Sequence, residues 1–146
     1  MYEVFINIHI WASILFSLTA IVLCLYYIKS IITETEFSKI HLFLENTFIG
    51  LLYFGLILGI ILYFFIRPDE NVQITIEQAR ATMSSRFWSI EHFSVMLFAL
   101  MLAQIGKIFT VRSTLSKDKL KYALFYYGSA TLVTFISTGF YLYYRV

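Results

Sequence analysis

The stretch RFWSIEHFSVMLFALMLAQIGK, Arg86 to Lys107, sets an ionisable pair, Glu91 and His92, inside a run long enough to cross a membrane. A crossing α-helix needs about 20 predominantly apolar residues to match a hydrocarbon layer of ~30 Å. A helix entering the bilayer near Phe87 carries His92 about 8 Å inward at 1.5 Å per residue, and ionisable side chains at such depth are costly enough to mark candidate sites. The alternative is that Glu91 and His92 stay at headgroup level, bonded to water and to the neighbouring arginines.

Working outward from this run, three more have the same character, so that Val4–Ile28, Leu42–Ile66, Phe87–Phe109 and Tyr122–Tyr144 account for most of the chain. The 146 residues are 60% hydrophobic and 14% charged, against about one half and one quarter for a soluble domain. Only Arg67 to Ser85 forms a sizeable connection, and the other two loops are close to the shortest that join antiparallel neighbours. The expected fold is therefore all-α, a polytopic membrane protein whose single domain, 1–146, is an antiparallel up-down-up-down bundle of four transmembrane helices. The first run opens with Glu3 instead of a basic region and is too long for a signal-peptide core, so it reads as a retained span. One cysteine, Cys24, offers neither a disulfide framework nor a Cys-based metal site, and packing is its expected role.

Short cytoplasmic loops retain Lys and Arg. Lys29, Lys39, Lys107, Arg112, Lys117, Lys119 and Lys121 lie toward the loops after the first and third helices, while Arg67, Arg80, Arg86 and Arg145 lie on the opposite side. Both termini and the central connection are thus expected outside, in the periplasm of a bacterium, with the chain in the inner membrane. A net charge of +2 is too small to imply a nucleic-acid partner; the bilayer is the expected one.

With that topology His9 and His92 share a depth, each about five residues into a helix that enters from outside. First and third helices are diagonal in such a bundle, with axes roughly 13 Å apart when neighbours are 8–10 Å apart. Two imidazoles reaching across could ligate one haem iron from opposite faces, and Arg67 and Arg86, at the outer ends of their helices, could pair with haem propionates. Those arginines could equally pair with Glu91, Asp69, Glu70 or lipid phosphate. A bare metal ion is the other candidate, with His9, His92 and Glu91 as ligands, although copper and zinc sites normally want three or four donors. Counting by four from His9 gives Ser13 and Ser17, and Ala20 and Cys24 then continue a small-residue strip, while His92 is followed by Met96, Ala99 and Ala103; such strips also serve helix packing.

Gly55 and Gly59 form a G-x-x-x-G that permits close helix approach, within the bundle or to another subunit. Glu45 and Lys107 fall on the same side of the membrane and form a plausible pair, whereas His41 lies on the wrong side to join His9 and His92 and reads as interfacial. Trp11, Trp88 and Tyr141, Tyr143 and Tyr144 read as aromatic anchors. Thr75 and Gln78 read as a capping pair ahead of a short outer helix. Phosphate-cradling glycine loops, H-E-x-x-H, C-x-x-C and nucleophile elbows are absent from the sequence, and no inverted repeat supports a transporter. A stand-alone enzyme is not indicated.

The opening NIHIWASILF (7–16), the segment GLILGIILYF (55–64) followed by Pro68, and EHFSVMLFALMLAQIGK (91–107) with the basic stretch after it resemble a family of small four-helix membrane proteins of Bacteroidetes often labelled cytochrome b-like. The matching positions are His9, Glu91, His92, Met96, Ala99 and Gly106, and the resemblance implies haem b. It also implies a further histidine in the second helix, where this chain has Tyr53. A looser similarity in size, helix count and early first-helix histidine links the chain to bacterial four-helix haem-binding protoporphyrinogen oxidases, but their lysine-containing third-helix pattern is missing, so that activity is not carried over. Two readings follow: a b-type haem protein in electron transfer, with His9 and His92 as axial ligands, or a cofactor-free accessory subunit of a larger respiratory or transport complex that packs through Gly55 and Gly59.

Overall fold

A computed structural model describes residues 2–66 and 91–144. Four helices make up the described chain: α1 (Tyr2–Ile32), α2 (Lys39–Phe64), α3 (His92–Arg112) and α4 (Ser116–Tyr144). At 31 residues, α1 is about 46 Å long, so it overshoots both ends of the span expected from hydropathy. α4 also starts earlier than expected, because Ser116 can open a helix ahead of the charged residues Lys117, Asp118 and Lys119.

Three helical segments, Glu3–Ile32, Lys39–Leu62 and His92–Arg112, are long and apolar enough to cross a membrane. α4 is as long, at 29 residues, but interleaves Tyr, Ser, Thr and Gly with its aliphatic residues and is less apolar than the other three. Each helix packs on its chain neighbours, α1 on α2, α2 on α3 and α3 on α4, and α4 returns onto α1. The short connections lie together, since the Phe37 backbone N–H donates to Ser116 Oγ at 2.7 Å and the Lys119 ammonium stands 5.5 Å from the centre of the Phe37 ring.

The distribution of side chains inverts that of a soluble protein. Much of the interior is small or aromatic: Ala20, Ala99, Ala103, Ala123 and Ala130 let the helices close around Phe16, Tyr27, Phe48 and Tyr127. Large aliphatic and aromatic residues such as Leu18, Leu25, Phe43, Ile57, Met101 and Phe125 face outward. In water such a continuous apolar exterior would be a liability; hydrocarbon solvates it, and small residues are then what helix contacts select.

The closest approach is at Gly106, where an added Cβ would stand 2.7 Å from Tyr126 Cβ. By contrast, among the described residues a Cβ at Gly59 would meet only His9, and one at Gly55 would meet nothing within 4 Å. The G-x-x-x-G pair thus divides, one glycine facing inside the molecule and the other open space. α1 ends in a left-handed turn at Glu34 (φ 51°), with Thr35 N–H donating to Ser30 C=O at 3.0 Å, an arrangement in which glycine is usual.

Candidate functional site

α1 and α3 bring His9 and His92 together, with ring centres 6.4 Å apart and planes at 87°. Both rings are partly shielded, and His9 Nδ1 is buried without a hydrogen-bond partner among the described residues. The reason lies in helix phase. The inward face of α1 runs through His9, Ala12, Phe16, Ala20, Leu23, Tyr27 and Ser30, steps of three and four that keep one face toward a neighbour. On α3 the corresponding face is His92, Met96, Ala99, Ala103, Gly106 and Thr110.

The strip expected along α1 is corrected by this phase. Counting strictly by four drifts about 40° per step around a helix of 3.6 residues per turn, and Ser13 accordingly ends up exposed. Its hydroxyl donates to the His9 carbonyl at 2.8 Å, and Ser17 donates likewise to Ser13 at 2.8 Å. Both serines spend their hydrogens on their own helix backbone.

The chemistry of the pair is that of two nitrogen donors, and His9 and His92 are the residues that would hold a haem iron if one were bound. Gly59 supplies a side-chain-free surface beside His9 Cε1, 3.9 Å from where its Cβ would be. The three-ligand alternative is not assembled: Glu91 is exposed, and no three His, Cys, Asp or Glu residues among the described ones group as a metal-ion site. Arg67, Arg86, Trp88, Thr75 and Gln78 lie outside the described residues, as do the side chains of Tyr141, Tyr143 and Tyr144. Trp11 is strongly exposed, as an interface anchor would be. Tyr53 accepts a hydrogen bond from Gln104 Nε2 at 2.9 Å, six residues along α2 from the glycine beside His9.

A second polar centre sits at the other end, and sequence reading found only part of it. Glu45 is fully buried, with Tyr27 donating to Oε1 at 2.8 Å and Lys107 Nζ bonded to Oε2 at 3.0 Å. Lys107 also donates to Asn46 Oδ1 at 3.0 Å. His41, expected at the interface, is instead buried at 1% exposure. It sits at the third position of α2, where its Nδ1 accepts the Ser38 N–H at 3.0 Å, and Tyr26, Tyr27 and Phe37 surround the ring. The Ser38-x-x-His41 spacing is a capping pattern with histidine in the usual Glu or Gln position, a signal the sequence did contain. Tyr127 is fully buried with no hydrogen-bond partner for its hydroxyl among the described residues.

Comparison with protein-family models, with curated proteins and with solved structures finds no match to this chain.

Proposed function

We propose that this chain is a b-type haem protein of a bacterial inner membrane, with His9 and His92 as axial ligands and electron transfer at the outer side as its role. The observation that carries the proposal is the meeting of two imidazoles from non-neighbouring helices at 6.4 Å. Haem held there supplies reversible one-electron exchange at its iron. The chain contributes two neutral nitrogen donors and a bare backbone surface at Gly59. Arg67 and Arg86 are the proposed propionate partners.

The same reading makes α4 the fourth span of an antiparallel up-down-up-down bundle, because α4 packs against both α3 and α1. Both termini then lie in the periplasm. Lys29, Lys39, Arg112, Lys117, Lys119 and Lys121 fall near the end where the short connections meet, which supports placing that end in the cytoplasm.

The test is haem content in histidine variants. His9→Ala and His92→Ala each remove the b-type spectrum while the protein still inserts in membranes, and His41→Ala leaves the spectrum in place. Full haem retention in both outer-end variants sinks the assignment. One observation favours the second reading, an accessory subunit of a respiratory or transport complex: Gly55 faces open space beside exposed Phe54 and Ile57. Under that reading Gly55→Leu releases partner proteins that otherwise co-purify in fixed ratio, and an isolated stable monomer argues against it.

A further inference from the structure

A cleft of about 350 Å³ opens at the end of the molecule away from His9, where α1 ends and α2 begins. Its size falls in the range that holds small ligands. The lining carries one charge of each sign, Lys29 and Glu36, with Tyr26 among the side chains around them. Its lining also includes His41 and Ser30, 1% and 3% exposed.

A chain of hydrogen bonds assigns the hydrogens there. The Ser38 N–H donates to His41 Nδ1, so that nitrogen holds no hydrogen and the neutral ring carries its own on Nε2. Nε2–H then donates to Ser30 Oγ at 2.9 Å. Ser30 is therefore an acceptor toward the histidine, and its own O–H is a buried donor that no bond among the described residues uses. Thr33 and Thr35 donate to the carbonyls of Lys29 and Ser30, which leaves their oxygens as acceptors on the cleft wall.

The cleft lining thus carries both donors and acceptors. The Lys29 ammonium, the Ser30 hydroxyl and the positive pole at the start of α2 favour an anion; Glu36, the threonine oxygens and the negative pole at the end of α1 favour a cation. A single charge matches only one of these two sets of groups, whereas a zwitterion matches both. We propose that the cleft binds the head group of a phospholipid bearing a phosphate and a primary ammonium, a phosphoethanolamine. Its phosphate meets Lys29 and Ser30 in charge-assisted hydrogen bonds. Its ammonium meets Glu36 and the Tyr26 ring. Ile40, exposed at the cleft edge, offers apolar contact to the acyl chain. The proposal rests on the reading of the chain as membrane-spanning and is independent of haem.

The test uses the full chain in bilayer discs made from equal parts of phosphatidylethanolamine, phosphatidylglycerol and phosphatidylcholine, with retained lipid measured by native mass spectrometry. Phosphatidylethanolamine is expected to be retained several-fold over the other two. Glu36→Gln should bring its retention down to that of phosphatidylcholine, Lys29→Gln should remove retention of all three, and Glu3→Gln, at the opposite end of α1, should change nothing. Equal retention of the three lipids by the wild-type chain, or an equal loss in Glu3→Gln, overturns the proposal. Lys29 and Glu36 are exposed, so circular dichroism should show both variants folded; a chain that an alkaline wash strips from bilayers overturns the membrane reading and this inference with it.

Discussion

Replacing Lys107 with Met leaves the buried Glu45 carboxylate with Tyr27 as its remaining donor among the described residues. Glu45 is 0% exposed and the Lys107 side chain 22%. Breaking a buried pair by removing one partner costs about 3–5 kcal/mol; because Lys107 reaches partly into water, we expect roughly 2–4 kcal/mol. The Lys107→Met side chain can still cover the apolar wall, so the loss is electrostatic and not a cavity. Glu45→Gln alone should cost about 1–3 kcal/mol, since the amide keeps an acceptor for Tyr27 while Lys107 turns to water and Asn46. The double variant should be more stable than Lys107→Met, because no unpaired charge remains inside. Reversible unfolding in mixed detergent micelles, read by tryptophan fluorescence, gives all three differences and the coupling between them. A coupling below about 0.5 kcal/mol, or a double variant no more stable than Lys107→Met, refutes the claim that this pair is a buried, mutually dependent unit.

The other predictions concern packing and backbone. Gly106→Ala places a methyl 2.7 Å from Tyr126 Cβ, so α3 and α4 must separate, and the same unfolding assay should show a loss of about 1–3 kcal/mol; Gly55→Ala, which meets nothing, serves as the control and should stay within about 0.5 kcal/mol of wild type. Glu34→Gly relieves a left-handed residue at the end of α1 and should stabilise by about 1 kcal/mol, whereas Glu34→Val should destabilise. Tyr127→Phe deletes a buried hydroxyl that has no partner among the described residues, so its unfolding midpoint should equal or exceed that of wild type; a clear loss would show that the hydroxyl is bonded in the folded protein.

Much of this architecture is legible in the residues because membrane helices are specified by length and apolarity, and short loops force sequential helices to pack side by side. Counting residues inward from the helix ends placed His9 and His92 at one depth, and their rings do meet. Glu45 and Lys107 were paired for the same reason. What escaped depends on angle and on tertiary contact. The inward face of α1 passes through Ala12 and Phe16, not Ser13 and Ser17, a difference of phase that a count by four cannot register. His41 was read as interfacial because hydropathy scores an isolated histidine as polar; its burial depends on Tyr26, Tyr27 and Phe37 closing around it and on Ser30 meeting its second nitrogen. The G-x-x-x-G motif drew attention to Gly55 and Gly59, yet the tightest contact falls on Gly106, which carries no motif and is identified only by Tyr126 on the facing helix.

The central claim is that His9 and His92 hold haem, and the most direct measurement is a reduced-minus-oxidised visible spectrum of the purified chain with a pyridine haemochrome assay for stoichiometry. The account predicts a b-type difference spectrum and one haem per chain. A protein that carries no haem after expression with ample haem supply contradicts it, and leaves His9 and His92 as a packing contact between α1 and α3.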